Sequence, residues 1–372
     1  MKNYKQFRDE LQHAYPVSKW KIKLPIATKL VDFPDLKLND DIQQIKKDLQ
    51  DFLLRLQKNE NLLSEIIHKN NEDHIIPLLR RDFTGIIRVD IVLNAENKLK
   101  ILEINADYPD WLLLHDFTYS TLDGKESKLH NDLFLSLFNK QDKIFVMYKE
   151  GSFFKDAYYQ EYLILKNAGF EVYFGADTEL DFNENWYCFY KNKLITIIKR
   201  CMEVWKFSDT LLKQFTKNKV WFINTFDLRV AWYKNMLPLL NSSYLPQTWT
   251  LTTQNRKQFI KNKDRLILKP SNLFEGKGIV IGKQTSLEER EWHLESKSKK
   301  NYIVQELIEM QKLIINLYDN NEIVEKELYF DLCPHFFVKD GKIIGDGHIL
   351  MRFSENRILN VAKWGGIGYL KK

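Results

Sequence analysis

The chain of 372 residues is 44% hydrophobic and 28% charged, which predicts a globular protein of two or three domains with sizeable cores. Its net charge of +6 accompanies 50 acidic residues, so the composition argues against nucleic-acid binding and is compatible with anionic small molecules. No apolar run approaches the roughly 20 residues of a membrane helix, and the polar N-terminus does not resemble a signal peptide. The three cysteines are widely spaced and indicate no disulfide framework. We therefore expect a cytoplasmic protein without a membrane partner.

The first predicted element is an amphipathic helix that begins at Asn39, whose side chain would cap it. Apolar residues follow at helical spacing and are expected to lie in the core. They are Ile42, Ile45, Leu49, Phe52, Leu53 and Leu56.

The stretch 86–109, IIRVDIVLNAENKLKILEINADYP, predicts two strands, because apolar and polar residues alternate on both sides of a polar break. Arg88 and Asp90 share one face of the first strand, and Glu103 and Asn105 share one face of the second. A four-residue loop at 94–97 would place Leu93 opposite Lys98 and Arg88 opposite Glu103, which brings all four polar groups to one face. A slip of one residue would separate them.

This hairpin predicts a metal and phosphate site. The oxygens of Asp90, Glu103 and Asn105 are hard ligands that suit Mg²⁺, and the Arg88 guanidinium suits phosphoryl oxygens. The alternative is a surface hairpin that carries a salt bridge, since R-x-D and E-x-N also arise by chance in a chain rich in acidic residues.

A β-α-β unit is predicted next, from the strand at 143–148 to the strand at 170–173.

Further on, residues 265–282 predict a strand, a flexible loop and a second strand. Backbone N–H groups of the loop Glu275-Gly276-Lys277-Gly278 could approach phosphate, with Lys269 and Lys277 as point charges. A simple Gly-Lys-Gly hairpin turn is the alternative.

The C-terminal third contains three more signals. The apolar strand 302–308 is interrupted by Gln305 and Glu306, a pattern that suits a hinge against a flat base but also occurs at strand ends. Residues 336–344 predict a hairpin around an Asp-Gly turn. The last candidates could bind a substrate carboxylate or phosphate, or could form a surface hairpin with a glycine turn; they are Arg352, Asn360, Gly365 and Gly366.

The eight histidines show no spacing typical of metal ligands. His335 follows Cys333 by two residues in an aromatic strand, which invites a Cys/His catalytic hypothesis. Without a partner acid nearby, a packed structural role is favoured for His335.

Taken together, the segments R-x-D…E-x-N-A-D-x-P, LKP…EGKG and VQELI resemble an ATP-grasp ligase, specifically the synthetase domain of glutathionylspermidine synthase and its circularly permuted relatives. The segment 224–240, with its Tyr-Lys-Asn-Met-Leu-Pro-Leu-Leu run, is similar to the family's N-P…N-K-x-x-L-P-L-L. The E-x-N strand here precedes the hinge, whereas it follows the hinge in ordinary ATP-grasp chains. The chain departs from the family's best-known members in having no room for an amidase domain before residue 80.

The resemblance implies a fold of the α/β (α+β) class, a circularly permuted ATP-grasp fold with a small preceding α/β domain. Region 1–135 would hold a helical part and the metal hairpin, 140–223 the small domain, and 224–372 the lid, the adenine hinge and the C-terminal half. The resemblance assigns Mg²⁺ to Asp90, Glu103 and Asn105, and the γ-phosphoryl contact to Arg88. It assigns ATP to the remaining positions, which are Lys234, Lys269, Glu275, Gly276, Lys277, Gly278, Gln305, Glu306 and Leu307.

The implied reaction is an ATP-dependent ligation of a carboxylate to an amine through an acylphosphate, with release of ADP and phosphate. The substrates would be small molecules or peptides, and both the acid and the amine stay open. Two alternatives also stay open: a nucleotide-binding module without chemistry, and a ligase or kinase with a different acceptor.

Overall fold

The computed structural model describes residues 25–33, 36–107, 113–152, 155–201, 207–218, 220–273, 276–284, 301–319, 322–357 and 365–371. Within these ranges the α-helices are α1 Leu38–Lys58, α2 Glu60–Lys69, α3 Leu113–Asp123, α4 Leu129–Ser136, α5 Lys155–Asn167, α6 Asp209–Lys217, α7 Phe226–Trp232 and α8 Arg256–Asn262. Short 3₁₀ helices span Asp73–Leu78, Asp177–Glu179, Lys234–Leu239, Lys263–Arg265 and Gly282–Gln284.

The strands in the same ranges are β1 Ile26–Ala27, β2 Gly85–Leu93, β3 Leu99–Asn105, β4 Lys143–Tyr148, β5 Glu171–Ala176, β6 Leu180–Phe182, β7 Cys188–Tyr190, β8 Lys193–Ile195, β9 Ile197–Arg200, β10 Trp221–Ile223, β11 Thr248–Thr250, β12 Leu266–Pro270, β13 Val280–Ile281, β14 Tyr302–Glu306, β15 Lys312–Asp319, β16 Glu322–Cys333, β17 His335–Lys339, β18 Lys342–Asp346, β19 Leu350–Ser354 and β20 Gly365–Tyr369.

A large sheet joins the early hairpin to the C-terminal strands. Its order is β15-β1-β20-β19-β16-β2-β17-β18, and β3 pairs with β2. Strand β2 is buried along almost its whole length, which explains why its sequence is nearly continuous in apolar residues. Strand β2 is therefore an inner strand of the sheet, whereas β3 pairs only with β2 among the described strands.

Three smaller sheets lie between β3 and β15 in sequence within the described residues, one of them the three-stranded sheet β6-β7-β8. Strands β10-β9-β4-β5 pair in parallel, with α5 connecting β4 to β5, so the predicted β-α-β unit is confirmed. Strands β11-β14-β12-β13 form an antiparallel sheet, which confirms the predicted strand, loop and strand around 265–282. The chain is thus a mixed helix and strand protein.

Two local predictions about turns and caps have opposite outcomes. The hairpin of β17 and β18 is confirmed, and its Asp340 and Gly341 have φ of 51° and 75°, as a two-residue turn of this kind requires. The prediction that Asn39 caps the first helix is wrong, because α1 begins at Leu38 after Lys37, which makes no side-chain cap. Asp40 and Asp41 lie in the first turn instead, where carboxylates stabilise a helix N-terminus.

Asn224 holds the ends of the β2–β3 hairpin together. Its Nδ2 donates to the carbonyl oxygens of Ile86 at 2.8 Å and Ala106 at 3.3 Å. The backbone of Gly85 lies so close that a Cβ there would stand 2.7 Å from Asn224 Cγ and 2.8 Å from its Cα. Gly85 also has φ of 151°, so this position requires glycine both for its conformation and for space.

Among the described residues, no helix is long and apolar enough to cross a membrane.

We expect Gly85→Ala to destabilise the protein by about 2–4 kcal/mol in urea unfolding, because overpacking against Asn224 adds to backbone strain. Gly169→Ala is the matched control, since Gly169 has φ of 80° but nothing within 4 Å of its Cβ position. Equal losses in the two variants would show that the contact with Asn224 has no energetic importance.

Candidate functional site

A β-bulge decides which face of the hairpin carries the polar side chains. Near the turn, Leu93 pairs with Leu99 and Ile91 with Ile101, but beyond the bulge Asp90 pairs with Glu103. Leu102 is the extra residue on β3. Without it, Asp90 would lie opposite Leu102 and Glu103 would point to the other face.

The predicted register of this hairpin is wrong in detail. Five residues, 94–98, separate the strands, so Leu93 does not lie opposite Lys98 and Arg88 pairs with Asn105 instead of Glu103. Asn94 accounts for the longer loop, because its Oδ1 accepts the backbone N–H groups at 96 and 98. The bulge compensates for the shift, and the four polar side chains lie on one face.

Asp90 is the centre of the resulting cluster and is only 1% exposed. Arg88 donates from Nε to Asp90 Oδ1 at 2.8 Å and from Nη2 to Oδ2 at 3.3 Å. Asn105 Nδ2 lies 3.1 Å from Asp90 Oδ2 and 3.4 Å from Glu103 Oε1. The structure therefore brings together the four residues that the sequence singles out in this hairpin.

Two further charged residues reach the cluster from the C-terminal strands. Arg352, a predicted substrate residue, lies directly opposite Asp331 in the β16–β19 pairing. Its Nε donates to both Asp331 oxygens at 3.0 and 3.1 Å, and its Nη2 lies 2.7 Å from Asp90 Oδ2. Asp331 is a residue that the sequence analysis missed. An aspartate inside the apolar run of β16 was the available signal, because a buried charge needs a partner.

Two lysines approach from the side of the small antiparallel sheet. Lys234 begins a 3₁₀ helix, and its Nζ lies 3.2 Å from Glu103 Oε2 and 2.8 Å from the carbonyl oxygen of Leu273. Lys269 is on β12 and donates to the carbonyl oxygen of Leu102 at 3.2 Å. That carbonyl belongs to the bulge, where the ladder of backbone hydrogen bonds is interrupted.

Asp90, Glu103, Lys269, Asp331 and Arg352 line a pocket with about 800 Å³ of empty space, part of it open to solvent. The pocket also contains apolar wall residues and the predicted hinge and loop residues Gln305, Glu306, Leu307 and Gly276. Lys277 and Gly278 follow as exposed residues, and Gly276 and Gly278 have φ of 71° and 74°. Glu275 and Asn360 lie outside the described residues.

The glycine pair of the C-terminal candidate segment lies in a strand and not in a turn. Gly365 and Gly366 are in β20, opposite Ser354 and Phe353. A Cβ at Gly366 would stand 2.8 Å from the carbonyl oxygen of Pro25. Close strand packing therefore accounts for Gly366, and its role in substrate binding stays a prediction.

The electrostatics favour an anionic ligand. Four cations, Arg88, Arg352, Lys234 and Lys269, face three carboxylates, Asp90, Glu103 and Asp331. Burial would raise the pKa of Glu103, but Lys234, Lys269 and Arg352 hold it well below its usual range. Burial lowers the pKa of Lys269 to about 8, an effect that Glu103 partly offsets and Lys234 increases. A buried lysine in this position is stabilised in its charged form by an added anion.

Comparison with known proteins identifies the fold. No family model matches the sequence, and no curated protein matches it. A glutathione synthetase-like effector from Globodera pallida, solved in the apo form, superposes with a TM-score of 0.66 at 11% identity, over 97% of each chain. A putative γ-glutamylcysteine synthetase from Methylobacillus flagellatus KT gives a TM-score of 0.49 at 13% identity, over 91% of this chain and 87% of that one. The chain thus shares the fold of a glutathione synthetase-like protein.

The low pKa of Lys269 predicts a pH-dependent stability. Between pH 8 and 10.5 the unfolded chain binds a proton at this lysine and the folded chain does not, so stability rises with pH across that window. We therefore expect the unfolding free energy of the wild type, minus that of Lys269→Met, to increase by about 2–3 kcal/mol from pH 8 to 10.5. The exposed Lys257 provides the control, since Lys257→Met should give a constant difference. A constant difference for Lys269→Met as well would contradict the lowered pKa.

Proposed function

We propose that this chain is an ATP-dependent carboxylate–amine ligase with a circularly permuted ATP-grasp arrangement, similar to the synthetase domain of glutathionylspermidine synthase. One observation carries the proposal. Asp90 and Glu103 of the β2–β3 hairpin line one pocket together with Lys269 of β12, and Lys234 contacts the Glu103 carboxylate. The likeness of the fold to a glutathione synthetase-like protein supports it.

The spatial arrangement supports the permutation. Glu103 on β3 comes early in the chain, and Gln305 on β14 comes about two hundred residues later, yet both line the same pocket. This order, with the metal strand before the hinge, is the one that the proposed permutation implies. Strands of region 1–135 and of region 224–372 also share the large sheet, as expected if both regions belong to one ATP-grasp core.

The residues present fit a magnesium ion. Asp90, Glu103 and Asn105 lie on one face and offer oxygen donors, as Mg²⁺ requires. Asn105 directs Nδ2 toward both carboxylates, and a turn of its amide by 180° would present Oδ1 instead. Asp331 is within the same charged cluster through Arg352. When bound, the ion would neutralise phosphate charge and help to orient the triphosphate.

The side chains then have separate tasks in the proposed reaction. Lys234 and Lys269 hold the triphosphate, the segment Gln305–Leu307 borders the base, and the Gly276–Gly278 loop covers the phosphates from water. Arg88 stabilises the charge on the transferring phosphoryl group while the substrate carboxylate attacks phosphorus and ADP leaves. The amine then attacks the acylphosphate carbon, loses a proton, and inorganic phosphate departs. No protein nucleophile is needed, because positioning and electrostatics supply the catalysis.

We expect the chain to release ADP from Mg·ATP only when a suitable acid and amine are both present. A screen of amino acids, polyamines and short peptides would find the pair, and formation of the amide would be checked by mass spectrometry. Glu103→Gln should lower the rate by about 10²-fold or more, since it removes a ligand oxygen charge. Glu96→Gln, in the exposed loop of the same hairpin, should keep full activity. ATP binding without ADP release from any pair would instead favour the binding module, and ADP release without an amine would favour a different acceptor.

Arg88→Lys is expected to keep ATP binding and to slow turnover. A lysine provides charge but cannot reproduce the planar fork of a guanidinium, and such a bidentate contact contributes most in the transition state. Calorimetry would measure ATP affinity, and single-turnover kinetics would measure the chemical step. Unchanged single-turnover rates would remove Arg88 from catalysis.

A further inference from the structure

Four of the eight histidines lie in one buried cluster beside the strand of Arg88. His115 comes from α3, His130 from α4, His335 from β17, and His348 from the segment between β18 and β19. Their exposed fractions are 0%, 1%, 0% and 6%. No spacing motif announces the cluster, because its members come from separate elements that meet only in the fold.

Three of these rings are close enough to share an ion. The rings of His115 and His130 are stacked with centroids 4.3 Å apart, and the ring of His335 meets that of His115 edge-on at 4.4 Å. One ligand nitrogen from each of the three lies within 4.8 Å of the other two. Zinc holds nitrogens at about 2.0–2.1 Å in a tetrahedral arrangement, so the rings would need to move together by roughly an ångström.

The hydrogen bonding of His115 and His335 leaves nitrogens available. His115 Nδ1 lies 2.9 Å from the Tyr369 hydroxyl, and its Nε2 has no hydrogen-bond partner in the described part of the chain. Neither ring nitrogen of His335 has one there. Leaving a buried polar atom unsatisfied costs about 1–3 kcal/mol. The free-energy cost of two adjacent buried histidines with unsatisfied nitrogens therefore needs a compensating interaction, and a bound metal ion would provide it.

We propose that His115, His130 and His335 bind a divalent transition metal of the zinc class. Imidazole nitrogens suit zinc, copper, nickel and iron, whereas the oxygen ligands at Asp90 and Glu103 suit magnesium. The Tyr369 hydroxyl would accept from Nδ1 of His115 and orient Nε2 toward the metal, as outer partners of metal-bound histidines do.

The charge state of the rings is the one that metals require. Burial and the neighbouring histidines lower the pKa of both His115 and His335 well below the usual value, and Arg88 contributes. Both rings are therefore neutral at physiological pH, and neutral imidazole is the ligating form. Negative charge is close, since Asp116 Oδ1 lies 3.7 Å from His130 Nδ1.

A second grouping, Asp116, His130 and His348, is also compact, but both Asp116 oxygens and Nε2 of His348 already make hydrogen bonds. Asp116 accepts the backbone N–H groups of His130 and Asn131 at 3.0 and 2.8 Å. His348 Nε2 lies 2.6 Å from Ser127 Oγ. These bonds hold the start of α4, and they would be lost if the same groups turned to a metal. The grouping with His115 and His335 is therefore the one we assign.

The protein, stripped with a chelator, would be reloaded with Zn²⁺ or Co²⁺ and freed of excess metal. We expect about one tightly held equivalent per chain by elemental analysis, and the strong visible absorption of tetrahedrally bound Co²⁺. His335→Gln and His115→Gln should each lose the absorption and at least about 10-fold in affinity. His348→Gln is the matched control and should keep both.

One more variant distinguishes the histidine site from the proposed magnesium site. Glu103→Gln disables the proposed magnesium site and should leave the Co²⁺ spectrum unchanged, so failure of the metal proposal and failure of the ligase proposal are distinguishable. If the histidine variants do not fold, nitrogen coordination measured by X-ray absorption on the Co²⁺-loaded wild type decides. Three results would each overturn the assignment. The first is loss of Co²⁺ absorption in His348→Gln while His335→Gln retains it. The others are coordination of Co²⁺ by oxygen atoms only and absence of tight metal binding in the wild type.

Discussion

The carboxylate of Asp90 is the contact on which the arrangement of the pocket depends. A carboxylate that is 1% exposed is tolerated only with partners, because an unpaired buried charge costs several kcal/mol. Arg88 from the same strand, Asn105 from β3 and Arg352 from β19 provide those partners. One side chain thereby fixes the position of β19 relative to the β2–β3 hairpin, although Arg352 and Asp90 are 262 residues apart in sequence.

The excess of positive charge in this cluster destabilises the free protein. Lys269 illustrates the cost, since burial lowers its pKa to about 8 even though Glu103 lies nearby. A chain selected only for stability would place an apolar residue at that point of β12. The lysine is explained if a bound anion supplies negative charge beside its ammonium group. The free-energy cost of burying Lys269 is in this way linked to the proposed binding of a triphosphate.

The sequence could predict what depends on local periodicity. The two strands of the stretch 86–109, the β-α-β unit and the Asp340-Gly341 turn follow from alternation, helical spacing and turn chemistry, and the structure confirms them. The bulge at Leu102 could not be predicted, because it results from the Asn94 loop acting together with the burial of one face. Asp331 and the histidine cluster were missed for a related reason: their partners lie on strands and helices that only the tertiary fold brings near.

The two lysines also connect the hairpin of the large sheet to its neighbours. Lys234 reaches Glu103 from the 3₁₀ helix Lys234–Leu239, and Lys269 reaches the carbonyl of Leu102 from β12 of the small antiparallel sheet. A phosphate group entering the pocket would compete with these protein oxygens for the same ammonium groups. A bound phosphate would thus replace the contacts that these lysines make with the hairpin, and ligand binding is coupled through the same two side chains to the position of β12 and the 3₁₀ helix relative to the large sheet.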